Sequence, residues 1–276
     1  MKFLIRVIAF SLLSINGFAQ DSTRTSSFTV AAIYGNTANY YGQSTAEKLP
    51  YVLSYGAYRL KSGLYISASA LKLLNFGGGF SSVDLSGGYG FDLSENLRGN
   101  LSYTRSFYEK NSPLLQTANE NTASGALNYD LSVFETGLSA DYAFGNQNDV
   151  FVTFSNSKLI DLGSLFSDKD YISLEPSIDI IGGSNRYYET YTVEKNRKQG
   201  LLDPLFPKPK PQTETTTVET TGFDIMSYSF SLPLAYNRAN YSLEASYQAS
   251  LLGEKFAENT NKPRSFFNLS FYYQFK

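Results

Sequence analysis

The side chains able to do chemistry in this chain are few and mostly of one kind. Alternate residues along the β-prone segments bring Asp84, Asp130, Asp141, Glu175, Asp179 and Glu244 to one side, with Arg98 the one clear base among them. Ser, Thr, Asn, Gln and Gly fill most of the remaining positions, and Tyr58, Tyr65 and Tyr272 add bulk. Six acids against one base draw cations into any water-filled space they line. They serve equally as acceptors for neighbouring hydroxyls and amides. Arg98 is expected to pair with an acid on an adjacent segment, such as Asp84.

The same inventory excludes more than it offers. The chain has no histidine and no cysteine. A Ser–His–Asp or Cys–His site cannot be assembled without the side chain whose unperturbed pKa lies near neutrality. Thiolate metal sites and disulfides are excluded as well. No carboxylate pair stands out by a spacing suited to glycosidase work. Gly77-Gly78-Gly79 and Gly87-Gly88 precede neither a Lys-Ser/Thr pair nor a helix, so they are turn and strand positions rather than phosphate loops. Asn100-Leu101-Ser102 matches a glycosylation acceptor but falls in mid-strand. The sequence predicts no catalytic residue, no cofactor and no metal.

The elements that position these residues are strands. At the chain's end Phe267, Leu269, Phe271, Tyr273 and Phe275 alternate with Asn268, Ser270, Tyr272 and Gln274. Upstream, Tyr241, Leu243, Ala245, Tyr247, Ala249 and Leu251 alternate with polar residues, as do Met226, Tyr228, Phe230, Leu232 and Leu234. Period-two alternation over so many segments gives each strand an apolar face. Nothing in the chain is suited to cover all those faces, so lipid outside and polar groups inside a closed barrel is the economical solution. Pro233 cannot donate to a ladder, which predicts a bulge or strand end nearby.

The N-terminus reads as a secretory signal over 1–19: Lys2 and Arg6, then an apolar run, then Gly17-Phe18-Ala19 before Gln20. Removing Lys2 and Arg6 from 23 basic residues leaves 21 against 25 acidic ones, a net charge of -4 that gives no sign of nucleic-acid binding. The 22 Tyr and 21 Phe suit interfacial aromatic girdles, where the ring meets the acyl boundary and the hydroxyl meets water.

Twelve strands are expected, at 28–35, 50–60, 64–74, 81–91, 97–108, 123–133, 136–144, 149–158, 171–194, 215–236, 241–252 and 265–275. Short connections at 61–63, 92–96, 134–135 and 237–240 fit one end of the barrel, taken as periplasmic with both termini. Longer ones at 36–48, 109–122, 195–214 and 253–264 fit the outside. Two connections break the rhythm: 145–148 is short on the outside, and 159–170 is long on the inside, where a short helix or a bent strand end is expected. Counts of ten and fourteen strands satisfy the same even parity. The β-prone flanks of 195–214 suggest a hairpin continuing two barrel strands, with a proline-rich tip at 201–211. A solvated loop is the alternative.

The terminal segment 265–276 resembles the closing strand of bacterial outer-membrane β-barrels, although those chains usually end on the aromatic residue and this one ends on Lys276. The resemblance implies an all-β, transmembrane, antiparallel up-and-down barrel spanning 20–276 in the bacterial outer membrane. It implies outer-membrane lipid and the barrel assembly machinery as partners. Two functions fit. One is a narrow, porin-like channel for small polar solutes, since twelve strands lie between barrels filled by side chains and barrels filled by water. The other is a non-conducting structural or recognition barrel that meets an extracellular partner through its loops.

Overall fold

The computed structural model describes residues 25–44, 47–110, 112, 119–145, 148–194, 213–256 and 262–275. The expected signal segment 1–19, the proline-rich tip and Lys276 lie outside these. The alternation read from the sequence becomes two faces of one antiparallel sheet. On β14 (Arg264–Phe275) the expected terminal set Phe267, Leu269, Phe271, Tyr273 and Phe275 points outward, while Phe266 and Ser270 on the other face are buried. β14 pairs with β1 (Ser27–Gly35) from Phe28↔Phe275 to Gly35↔Asn268, so the first and last strands join. From β1 the ladder runs through β2 (Tyr51–Arg59), β3 (Leu64–Leu73), β4 (Ser82–Asp92), β5 (Leu97–Tyr108), β6 (Asn121–Asp130), β7 (Glu135–Phe144) and β8 (Asp149–Ser157). In the other direction β14 pairs with β13 (Tyr241–Leu252), and β13 with β12 (Thr213–Arg238).

The circle is completed by two interrupted strands. β8 continues after Lys158 and Leu159 as β9 (Ile160–Gly163). β10 (Asp170–Leu174) continues after Glu175 and Pro176 as β11 (Ser177–Glu194). β10 pairs with β12, β11 pairs with β8, and β11 also pairs with β12. Fourteen segments among the described residues therefore build a closed barrel of twelve strands. The irregularity expected at Pro233 is found opposite it, where the Glu175 amide donates to the Pro233 carbonyl at the β10/β11 break. The long connection 159–170 is the bent strand end, closed as a β9/β10 hairpin. The Asp170 carboxylate accepts the backbone amides of Leu165, Phe166 and Ser167 and fixes its turn. Ser184–Asp224 is a compact unit of its own, holding the remainder of β11 and the first part of β12.

The exterior is apolar and open. Ile66, Leu85, Leu101, Leu138, Phe154, Ile178, Phe230 and Leu243 all stand exposed on outward positions of eight different strands. Such a belt is stable only in hydrocarbon. No helix among the described residues is long and apolar enough to cross a membrane, so crossing falls to the strands. Two sequence expectations fail on facing. Tyr58 is outward, between Phe28 and Ile66 on the neighbouring strands, because strand 2 is in phase with Val52 rather than with Tyr51. Met226 is 1% exposed and lies with Ile181 and Phe151 inside, because the β12–β13 register stops at Ser227↔Leu252 and the alternation breaks there.

Phe275 contacts Phe28 across the closing seam with ring centroids 5.8 Å apart, and Tyr273 at 4.6 Å. Phe275→Ala is expected to lower the yield of folded barrel, read as the heat-modifiable band on a denaturing gel. Deleting Lys276 is expected to leave that band unchanged.

Candidate functional site: the barrel interior

The interior divides into a polar half toward the strand-turn end, where β1 begins and β14 ends, and a packed half toward the loop end. The polar half owes its room to two glycines. The Tyr65 ring lies flat over Gly88, where a Cβ would come within 2.4 Å of it, and its hydroxyl donates to Asn100 at 3.1 Å. Arg59 lies over Gly90 likewise, its guanidinium 2.8 Å from where a Cβ would stand. Rings laid along the wall do not project to the axis, so Tyr65 is not the plug its size suggested. Tyr272 also faces inward, in register with Ala31 and Ser242.

The expected charged residues meet different fates. Asp84 on β4 is satisfied by the wall, accepting the Ser69 hydroxyl at 3.0 Å with Ser106 beside it. Arg98 on β5 pairs with Glu135 on β7, reaching past β6, and not with Asp84. Glu135 was missed because the sequence placed it in a turn. Asp130 does not line the lumen: it is exposed at the end of β6, and its carboxylate accepts the Ser132 amide at 2.8 Å to hold the turn. Glu175, Asp179 and Glu244 remain, on β10/β11 and β13. Glu175 accepts the Ser157 hydroxyl at 3.0 Å and has the like charges of Glu135 and Glu244 within electrostatic range. Asp179 and Glu244 make no hydrogen bond or ion pair among the described residues. The inward bases also exceed the single one expected. Arg59 sits over the Tyr65 ring at 4.8 Å, a cation–π contact. Arg264 donates to the Ser44 carbonyl.

The packed half is built by the loop 36–50, which the sequence placed outside the barrel. It leaves β1, turns into the lumen and returns to β2. At its tip the Tyr40 and Gln43 main chains exchange two hydrogen bonds of 2.8 Å, with Tyr41 at φ 45° and Gly42 at φ 85°. Two positive φ values in succession are the signature of a type I′ hairpin turn, and glycine fits the second position. The tip reaches the far wall. The Tyr41 ring stacks on Phe151 of β8 at 4.2 Å, and its hydroxyl donates to Asp141 of β7 at 2.8 Å. The Ser227 hydroxyl donates to the Tyr41 carbonyl at 2.6 Å, and Asn39 donates to Gln248 at 2.8 Å. Tyr40, Ala143, Ile181 and Met226 complete an apolar cluster around it. A second cluster, Ile33, Leu53, Leu71 and Leu73, closes against Leu49 of the same loop. Asp141 is thus an anchor for the loop rather than a free lining charge. The sequence signal was Tyr40-Tyr41-Gly42, two aromatics beside a turn residue in a segment otherwise polar.

The closed ladder, apolar exterior and polar interior define the class: an outer-membrane β-barrel of porin-like architecture. No protein-family model and no curated protein matches the chain. Among solved structures it is similar to the KdgM porin, at 6% identity over 90% of this chain and 99% of that one, with a TM-score of 0.51. KdgM porin in complex with disordered oligogalacturonate gives 8% identity over 91% and 99%, at 0.47. An outer membrane channel from Pseudomonas putida F1 gives 13% over 95% and 100%, also at 0.47. At these identities the likeness is one of fold.

Gly88→Ala tests the wall packing. The added methyl meets the Tyr65 ring at 2.4 Å and the Leu101 carbonyl at 2.7 Å. Overpacking of this kind costs about 1–3 kcal/mol. The urea unfolding midpoint of the refolded barrel in detergent should fall accordingly, and Tyr65→Ala in the same background should recover part of the loss.

Proposed function

We propose that this barrel is a narrow channel for small polar solutes, constricted by its own 36–50 loop and biased toward cations. The observation that carries the reading is the group of acids without basic partners in the polar half. Glu175, Asp179 and Glu244 stand together on one arc, while Arg98 is engaged by Glu135 and Arg59 is held over Tyr65. A low-dielectric wall focuses the field of such a group. Support also comes from the Tyr65 ring, which is laid over Gly88 along the wall of the polar half. The fold shared with a porin is consistent with this reading. Without histidine or cysteine the chain has no conventional base or thiol nucleophile, so the proposal includes no enzymatic step.

The Tyr41 contacts favour a second reading, a plugged barrel that acts through its outer loops. Planar bilayers with a salt gradient separate the two. A channel gives discrete small conductance with a cation-signed reversal potential. Glu244→Gln with Asp179→Asn should reduce that potential, and high salt should weaken it as the screening length shrinks to roughly 3 Å at 1 M. Replacing 38–44 with Gly and Ser should raise the unit conductance. A silent bilayer from both forms, with insertion verified, would leave the plugged barrel as the function.

A further inference from the structure

The outward wall from β2 across β1, β14, β13 and β12 to β10 carries an apolar groove of about 510 Å³. The registers explain its form. Val52, Tyr34, Leu269, Ala245 and Leu234 are successive partners in one outward row. Ala32, Phe271, Leu243 and Tyr236 are successive partners in the next, and Ile172 continues it. Between them lies the inward row Ile33, Ser270, Glu244 and Ala235, which offers the outside only its backbone. The groove is the trough between two ridges of side chains, deepened where the ridges carry Ala32 and Ala245. At about 4.8 Å per strand it runs roughly 20 Å.

One end of the trough is polar and built. The Tyr236 ring meets Phe166 edge-on at 5.9 Å, and its hydroxyl donates to Asp170 at 3.1 Å. Arg238, the next outward residue, is exposed, with its guanidinium in hydrogen-bonding reach of the Tyr236 and Tyr241 hydroxyls. Asp170 stands opposite Arg238 in the ladder, but its oxygens are already engaged by three backbone amides and the Tyr236 hydroxyl. The arginine charge is therefore presented at the turn-end border of the apolar belt.

We propose that this groove binds a phospholipid, with one acyl chain along the trough and the phosphodiester at Arg238. The occupant follows from continuity, since the trough is part of the wall that faces hydrocarbon, and from charge, since a cation at the belt's edge meets a phosphate. The site does not depend on whether the lumen conducts.

The chain has no tryptophan, so a single introduced one reports its surroundings without background. Leu234→Trp places it on the groove's edge, and Leu138→Trp on the outward face of β7 serves as the reference. Each full-length variant is reconstituted in phosphatidylcholine vesicles carrying an increasing fraction of phosphatidylglycerol with brominated chains, after its heat-modifiable band has verified folding. The expected result is that quenching at 234 reaches half its maximum at a brominated fraction several-fold below that needed at 138. Ala245→Phe, which fills the trough, and Arg238→Gln, which removes the cation, should each return the 234 curve to the 138 curve. Identical curves for the two positions would overturn the site in favour of ordinary annular lipid. Quenching at 138 but none at 234 would overturn it in favour of a second copy covering the groove. Selective quenching that survives Arg238→Gln would overturn the assignment of the phosphate.

Discussion

The constraint on which everything else depends is that a backbone in hydrocarbon must pair every amide and carbonyl with another strand. An open sheet leaves two unpaired edges, whereas among the described residues the wall's ladder closes on itself. β1 meets β14 over eight residue pairs, and β11 joins β8 to β12. The requirement is strict enough to survive local faults. Where Pro233 removes a donor from β12, the opposing strand breaks between β10 and β11, yet the Glu175 amide still finds the Pro233 carbonyl and the Lys158 amide still finds that of Pro176. The ladder bends without opening, as a prolyl residue in a spanning sheet demands.

Closure at twelve strands creates the second problem, since the lumen is wider than wall side chains alone fill. The chain solves it differently at its two ends. Near the turns, long side chains lie along the wall over glycines and the acids keep their contact with the lumen. Near the loops, an entire hairpin is taken inside. Its tip is held both by apolar contact, with Tyr41 on Phe151, and by hydrogen bonds from three strands. A buried polar atom is costly without a partner, and the Tyr41 hydroxyl and carbonyl both have one. Those bonds fix where the tip sits, while the aromatic area makes insertion favourable.

The architecture was legible in the sequence because a transmembrane strand must repeat one rule at every position. Phe267 through Phe275, the outward residues of β13 and the acids Asp84, Asp179 and Glu244 follow it, and even the bent strand end at 159–170 announced itself by length. What was not legible are contacts that no local rule governs. Arg98 takes Glu135 two strands away because the side chain reaches past β6, and a sequence gives neighbours but not reach. Tyr58 was misjudged because strand 2 alternates weakly, with Ser54 and Gly56 on its lipid side. The inserted loop was missed because the length and polarity of 36–48 are those of a surface loop. Only its aromatic pair hinted otherwise.

The division of the lumen bears on what kind of channel this fold supports. A charge acts on a passing ion in proportion to how little water and salt separate them. Asp141 could have been part of such a field, but it is spent on the Tyr41 hydroxyl, and Asp84 is spent on serines. The charges left to act are those on the β10–β13 arc, on the turn side of the inserted loop. In the channel proposed above, selection by charge and obstruction by size fall at different depths of one barrel and on different segments of the chain. The acids belong to the wall, which cannot move without opening the ladder. The obstruction belongs to a loop tied at its two ends to β1 and β2, whose displacement would cost contacts but break no strand pairing of the wall. A single-sheet barrel can in this way carry a fixed filter and a separable constriction without a second domain.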